Sequence, residues 1–402
     1  MMIDIDRVRD ETPGCRDLVH LNNAGCALPP AAVLDTMVDY LRAEATRGGY
    51  ETQRERAGQL AAVYDSLAVL IGAGSSEIAL ADNATRAWDM VFYGLRLGPG
   101  DRILTCRSEY GSNAIAYLQQ AARTGVEVRV VGDDASGQID LQQLERELAE
   151  PGVRLVSMTH IPTQGGLINP APAVGALTSA AGVPFLLDAC QSVGQLDLDV
   201  NELKCDVLTG TGRKYVRGPR GTGFLYVRES AMELFEPAVL DNGSAVWTSP
   251  TTYEMSQDAR RYETWEKNYA AVAGLGAAAD YALSLGVAAV EARVVGLGEL
   301  LRRTLADIDR VRVHDLGSNR CGIVSFTVDG LAPEDVKSAL AADRVNVSVS
   351  KSTSSQWDLP ARGLTGVVRA SAHYYNTESE IEYVGSLVER LVADNGPRDP
   401  RD

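Results

Sequence analysis

The chain lacks any apolar run near the roughly 20 residues that a membrane-spanning helix requires, so no membrane segment is expected. Its amino terminus, MMIDIDRVRDETPG, has acids where a secretion signal would carry a basic head and an apolar stretch, which points to a cytoplasmic protein. Positive charge is also short: 38 Lys and Arg face 54 Asp and Glu, a formal charge of −16. A surface of that sign repels polyphosphate backbones and excludes a general nucleic-acid binder. The six cysteines, Cys15, Cys26, Cys106, Cys190, Cys205 and Cys321, fall singly, with no CxxC pair. Neither a zinc site nor a disulfide framework follows from that spacing. No metal is expected, and the cysteines read mainly as small buried apolar residues. Internal repeats and low-complexity tracts are missing; only the tail DNGPRDPRD reads as disordered.

What is present is an ordinary globular composition, 45% hydrophobic and 23% charged, in a chain of 402 residues. That length is long for one core and predicts a large domain plus a smaller one. Short β-rich runs alternate with alanine-rich stretches of helical spacing: EIALAD (77–82), RILTCRSE (102–109), EVRVVGDD (127–134), RLVSMTH (154–160), PFLLDA (184–189), DVLTGT (206–211) and GTGFLYV (221–227). The alternation predicts an α/β fold with a mostly parallel central sheet covered by helices. After about residue 275 the pattern changes. Two helical stretches over 267–308 lead into the strand candidates CGIVSFTV, VNVSVS and VVRASA and a closing helix near 377–394. The expected division is a large domain over 18–275 and a smaller α+β domain from 1–17 and 276–402.

In an open α/β sheet, ligands gather at the carboxyl ends of the strands, so polar residues there carry the most information. NATRAWD follows the first run, and Ala84, Thr85 and Arg86 would open a helix whose free amides suit a phosphate; a plain cap at Asn83 explains the same residues. SEYGSN places Tyr110 just past a strand, and HIPTQGG places Thr163 in a turn. FLLDACQSVG ends a fully apolar run in Asp188, with Gln191 three residues on. A carboxylate there needs a helix-start amide or a cationic ligand as partner. TGTGRKYVRGPRGTGF (209–224) then sets Lys214 beside Arg213 among glycines that let a backbone approach a ligand. It does not fit GxxxxGK followed by Ser or Thr, so it is no Walker phosphate loop. A pyridoxal 5'-phosphate (PLP) enzyme needs one lysine for the cofactor aldehyde, one acid for the ring nitrogen and a helix-start phosphate cup. Lys214, Asp188 and the 84–86 turn supply those three. Arg217 and Arg220 are left as surface or substrate-entry cations.

The run LLDACQSVGQLDLDVNELKCDVLTGTGRKYVRGPRGTGFLYV resembles the class V aminotransferases of PLP fold type I, the group of cysteine desulfurases and isopenicillin N epimerase-like proteins. LNNAG (21–25) and VRASAHYYNTESEI (368–381) extend the likeness over nearly the whole chain. The resemblance implies the fold type I architecture, PLP as cofactor and an amino-acid substrate. It also implies a homodimer with shared active sites, in which Gly48–Glu51 and 261–268 cross over. Carried over by position, Lys214 is similar to the aldimine lysine, Asp188 to the ring-nitrogen partner and Gln191 to the partner of the ring oxygen. Tyr110 stands where an aromatic or histidine stacks on the ring. Ala84, Thr85, Thr211 and Arg213 match phosphate contacts, Arg213 standing where the desulfurases have histidine. Thr163 falls where they have an asparagine. Arg369 matches the arginine that grips the substrate carboxylate, and Asn23 of LNNAG falls among the substrate-side residues.

Two departures bear on the reaction. Cysteine desulfurases hold a nucleophilic cysteine on a loop before the carboxylate arginine, and here SVSKSTSSQWDLPARGLTG contains none. Without a thiolate to accept sulfur, the usual desulfurase chemistry is not expected. RYETWEKNYA (261–270) resembles a family segment that contacts phosphate across the subunit boundary, but puts Glu266 where a threonine is expected. Arg213 or Lys267 could pair that carboxylate, or Trp265 and Glu266 could face the substrate. The leading expectation is a β-eliminating carbon–sulfur lyase on an S-substituted cysteine, nearest in kind to the non-desulfurase S-conjugate enzymes. In it, Lys214 takes the Cα proton of the substrate aldimine and the β-sulfur group leaves. The alternatives are decarboxylation coupled to oxidative deamination of an S-cysteinyl intermediate, as in lincosamide-type secondary metabolism, and transamination or epimerisation. A non-catalytic relative that kept the fold would lack the lysine or the acid, and neither is missing.

Overall fold

The computed structural model describes residues 3–395, and the expectation of a disordered tail falls almost wholly on residues 396–402, outside them. The seven runs read as strands form one seven-stranded sheet: β1 (Ile78–Ala81), β2 (Arg102–Cys106), β3 (Glu127–Val131), β4 (Val153–Thr159), β5 (Phe185–Asp188), β6 (Val207–Thr211) and β7 (Gly223–Val227). Their order is β1-β7-β6-β5-β4-β2-β3. Neighbours pair in parallel except β7, which runs against both β1 and β6. β5 and β6 are buried at every position, as expected of central strands covered on both faces. β3, at the edge, instead carries the Glu127–Arg129–Glu147 charge chain, which discourages pairing with another chain.

The helices of this layer are α1 (Ala31–Arg47), α2 (Ala57–Ile71), α3 (Ala84–Phe92), α4 (Gly111–Thr124), α5 (Leu141–Leu148), α6 (Ala171–Ala181) and α7 (Tyr269–Leu285). α7 is rich in alanine and glycine because it packs closely on α1 and α2: a Cβ at Gly276 would come within 2.7 Å of Val63. The chain continues through α8 (Val287–Ala306), α9 (Pro333–Ala342) and α10 (Glu378–Asp394). A hairpin of β8 (Ala245–Ser249) and β9 (Thr252–Met255) stands out from the large sheet, with Trp247 and Tyr253 exposed. The antiparallel sheet that follows has the order β10-β11-β13-β12, from Val311–Val313, Ile323–Val328, Gly366–Ser371 and Ser348–Lys351 respectively. Leu297, Leu301, Val324, Phe326, Val368 and Ile381 share its separate core. We keep the division at residue 275 as a proposal, with Val8 and Ala278 to Leu285 packing on the central-sheet core.

A strap from the amino terminus joins the two parts. Val19 and His20 pair in parallel with Val345 and Asn346, Asn22 bridges to Ser371, and the Ala27 amide donates to the Arg213 carbonyl at 2.9 Å. Beside it lies a correction to the sequence reading. Arg217 is not a surface cation: it is 1% exposed, at a left-handed φ of 65°. Its guanidinium donates to Leu28 O at 2.7 Å, Tyr374 Oη at 2.8 Å and Thr12 Oγ1 at 2.6 Å, and lies 4.6 Å from the Tyr375 ring centre. Such a backbone conformation persists only where the surroundings over-determine it. Arg217→Ala would strand three buried acceptors at about 1–3 kcal/mol each. We expect the urea midpoint to fall by the equivalent of at least about 3 kcal/mol at unchanged slope. A midpoint equal to the parent's would remove Arg217 from this role.

Candidate active site

Four parallel strands end on one cavity of about 330 Å³. β2 delivers Tyr110, β4 delivers Thr159, Ile161 and Thr163, β5 delivers Asp188, Cys190 and Gln191, and β6 delivers Thr211, Arg213 and Lys214. The start of α3 closes one side with Asn83, Ala84 and Thr85. This is the crevice at the carboxyl ends of an open α/β sheet, where ligands are held. β7 runs directly against that helix start, and a Cβ at Gly223 would sit 2.5 Å from the Asn83 carbonyl carbon. Glycine is required there.

The Lys214 side chain is 7% exposed and makes no hydrogen bond to any described residue; its Nζ lies 6.0 Å from the Tyr110 ring centre. Burial lowers the amine to about 8, with the Arg213 and Arg369 charges adding to the effect. Asp188 is held by two donors, the Asn113 side-chain amide and the Cys190 backbone N–H, each at 3.0 Å. Gln191 donates to the Ala24 carbonyl at 3.1 Å, and its own carbonyl oxygen is buried without a partner. Arg213 donates to the Thr211 hydroxyl at 3.1 Å. Arg369 lies beside the cavity, 5% exposed, donating to Thr163 O at 2.9 Å, Thr163 Oγ1 at 2.7 Å and Asn22 Oδ1 at 3.3 Å. Its Nε has no partner, and burial lowers the guanidinium to about 10.

Several predicted site residues lie elsewhere. The Arg86 side chain points to solvent and pairs with Asp89 at 3.6 Å, while its N–H is taken by the Asn83 cap. Asn23 is fully buried and spent on structure, donating to His20 O at 3.0 Å and Ser371 O at 2.7 Å and accepting from Tyr375. Its neighbour Asn22 is the residue that meets Arg369. Trp265 is 54% exposed and Glu266 is exposed; neither lines the cavity. Lys267, read as a partner for Glu266, is bound to the buried Glu263 instead. Arg220 does border the cavity, at its open side. The sequence reading missed Thr159, Cys190, Asn113 and Glu109. Cys190 was visible inside DACQ, and its thiol is held well above its usual range by burial and the Asp188 carboxylate. Asn113 and Glu109 flank Tyr110 on a helix start and gave no signal of their own.

The segment 350–359 packs onto the start of α4, where a Cβ at Gly111 would lie 2.8 Å from the Ser354 carbonyl oxygen. Buried Asp358 fastens it, accepting from Gln164 Nε2 at 2.9 Å and pairing with Arg362 at 3.4 Å.

A buried amine with a lowered pKa, a carboxylate held ready at the opposite strand end and a capped helix start define a PLP site of fold type I. The chain belongs to the class V aminotransferases: the family model matches residues 19–384. Among curated relatives, a probable cysteine desulfurase of Methanothermobacter thermautotrophicus is 31% identical over 391 residues, covering 96% of this chain and 97% of the relative. One from Synechocystis is 31% identical and covers 91% and 89%. The solved apo structure of a cysteine desulfurase from Thermococcus onnurineus superposes with a TM-score of 0.91 at 27% identity, covering 98% of this chain and 99% of that one. A cystine C–S lyase, solved in complex with its product cysteine persulfide, gives 0.85 at 24% identity over 96% and 100%, a likeness of fold. The family is PLP-dependent, and the residues present fit that group. The orphaned Gln191 oxygen, the partner-free Lys214 amine and the free amides at the α3 start are what a ring hydroxyl, an aldehyde and a phosphate would use.

Apoprotein mixed with PLP should therefore develop a visible band that borohydride removes, with the label on Lys214; Lys214→Ala should show none. Band formation should quicken about tenfold per pH unit up to about 8 and level off above it. Between 8 and the ordinary 10.5 the folded amine binds fewer protons than the unfolded one, so stability rises with pH across that window. Lys214→Met should accordingly stabilise the apoprotein at pH 7, and the gain should fade between pH 8 and 10.5. A gain independent of pH in thermal unfolding would contradict the assignment.

Proposed function

We propose that the protein is a carbon–sulfur lyase that removes the sulfur group from an S-substituted cysteine, releasing a thiol, pyruvate and ammonia. The observation that carries this reading is the segment at 350–366: it is fastened beside the site yet offers hydroxyls and no thiol. Cys190, the cysteine that borders the cavity, is held as a neutral thiol and is a poor sulfur acceptor. The relatives are named as cysteine desulfurases, and a thiolate that would take sulfur from the substrate is missing from this segment.

When bound, PLP draws electrons from the substrate Cα and makes its proton acidic. Arg369 takes the substrate carboxylate, exchanging its bonds to Thr163 and Asn22 for a bidentate grip and fixing which Cα bond is exposed. Lys214 receives the Cα proton at Nζ, and its lowered pKa makes a free amine available near neutral pH. The Cβ–S bond then breaks, the pair leaving on sulfur, which takes up a proton to become the thiol. The three-carbon remainder hydrolyses. Asp188 would hold the cofactor nitrogen, Tyr110 would cover the ring, Gln191 would meet the ring oxygen, and Ala84, Thr85, Thr211 and Arg213 would receive the phosphate. We also propose a homodimer in which Tyr50 and Trp265, 65% and 54% exposed in the single chain, become covered.

Holoenzyme given S-substituted cysteines should release thiol and pyruvate in equal amounts, leaving no sulfur on the protein by mass spectrometry. Alanine with protein-bound sulfur would instead mean a desulfurase. Carbon dioxide with an aldehyde would mean oxidative decarboxylation, and an amino-group acceptor requirement would mean transamination. Cys190→Ala should keep the product ratio. Arg369→Lys should raise KM at least about tenfold, through loss of the two-point grip.

A further inference from the structure

Glu109 sits where β2 turns into α4, one residue before Tyr110, and is 3% exposed. Its oxygens take five donors. Oε1 accepts from the Tyr110 N–H at 2.8 Å, the Asn113 amide at 3.0 Å and the Thr159 hydroxyl. Oε2 accepts from Thr105 Oγ1 at 2.8 Å and Tyr117 Oη at 3.2 Å. The same Asn113 nitrogen donates to Asp188 Oδ2 at 3.0 Å, so two buried carboxylates share one amide group.

Burial and the Asp188 charge both oppose ionisation of Glu109, raising its pKa. A tie between strand ends does not need that cost. Glutamine has the same shape: its oxygen would serve the three donors at Oε1, and its NH₂ would face Thr105 and Tyr117 hydroxyls, which can accept as well as donate. What glutamine lacks is the charge, and the charge is useful only if a cation occupies the space in front of Asp188.

We propose that Glu109 is a positioning residue and second counter-charge for the cofactor: it aims Tyr110 at the ring face and Asp188 at the ring nitrogen, and it deepens the negative field that holds that nitrogen protonated. This rests on the PLP site described above. Its shape and its field act on cofactor affinity rather than on the strand ends.

The test uses cofactor affinity, read from the visible band on titrating apoprotein with PLP, beside thermal unfolding of the apoprotein. Glu109→Gln should bind PLP at least tenfold more weakly while its apoprotein melts at or above the parent temperature, the opposite of what loss of a structural tie would give. An affinity within twofold of the parent, or a loss matched by a lower apoprotein melting temperature, overturns the proposal. Should the glutamine variant not fold, Glu109→Asp decides. It keeps the charge but draws it back from Tyr110 and Asn113, and should weaken PLP three- to tenfold; unchanged affinity overturns the proposal. A parent that forms no band overturns the cofactor site itself, whereas a parent band with unaltered variants overturns the role of Glu109 alone.

Discussion

The Arg217 guanidinium is the tie on which the arrangement depends. One side chain binds the amino-terminal segment through Thr12 and Leu28 and the segment after β13 through Tyr374, and it stacks against Tyr375 and Tyr281. Its backbone sits in the turn that carries the reactive amine, with the Arg217 N–H donating to the Lys214 carbonyl at 2.9 Å and Gly218 to Gly212 at 2.7 Å. A cation so deep is tolerated because each guanidinium nitrogen donates to an oxygen and three tyrosine rings lie close to it. The same bonds that satisfy it fix Lys214 against both sheets at once.

Around that turn, charge is arranged in opposition. Lys214 and Arg369 are both buried and both lowered, each by burial first and then by other cations in the site. Asp188 lies close to Lys214 at the neighbouring strand end, and Glu109 is linked to Asp188 through Asn113. A site of this kind is uncomfortable when empty and is relieved by an anionic, ring-bearing ligand that brings its own phosphate. Binding energy for the cofactor is thus prepared in the fold, while Thr163 and Asn22 hold the Arg369 guanidinium beside the cavity.

The sheet was readable because its strands are apolar runs bounded by polar turns, and the central ones cannot be mistaken when every position is buried. Asp188 was readable for a related reason, since a charge ending an apolar run is conspicuous, and Lys214 was readable from the glycines around it after the next strand. Arg217 was not, since a guanidinium among glycines reads as solvated until the three tyrosines that receive it, two of them more than 150 residues away in sequence, are brought near. Asn23 illustrates the reverse error. Its neighbourhood in LNNAG is at the site, but alternation along the strap turns Asn22 toward Arg369 and Asn23 into the core. Glu109 and Asn113 escaped because a polar helix start has an ordinary explanation, and only the shared amide between two carboxylates reveals another. The β8–β9 hairpin carried too little burial to mark it.

The walls of the cavity come from separate pieces of chain, four strand ends and one helix start, and a fastened segment that leads into the second sheet packs beside them at Thr163. Residues 352–365 of that segment lie between the paired ends of β12 and β13, so they can change in sequence while Lys351 stays opposite Gly366. The groups beside the site can therefore be exchanged without rebuilding the cofactor cradle, whose residues come from other parts of the chain.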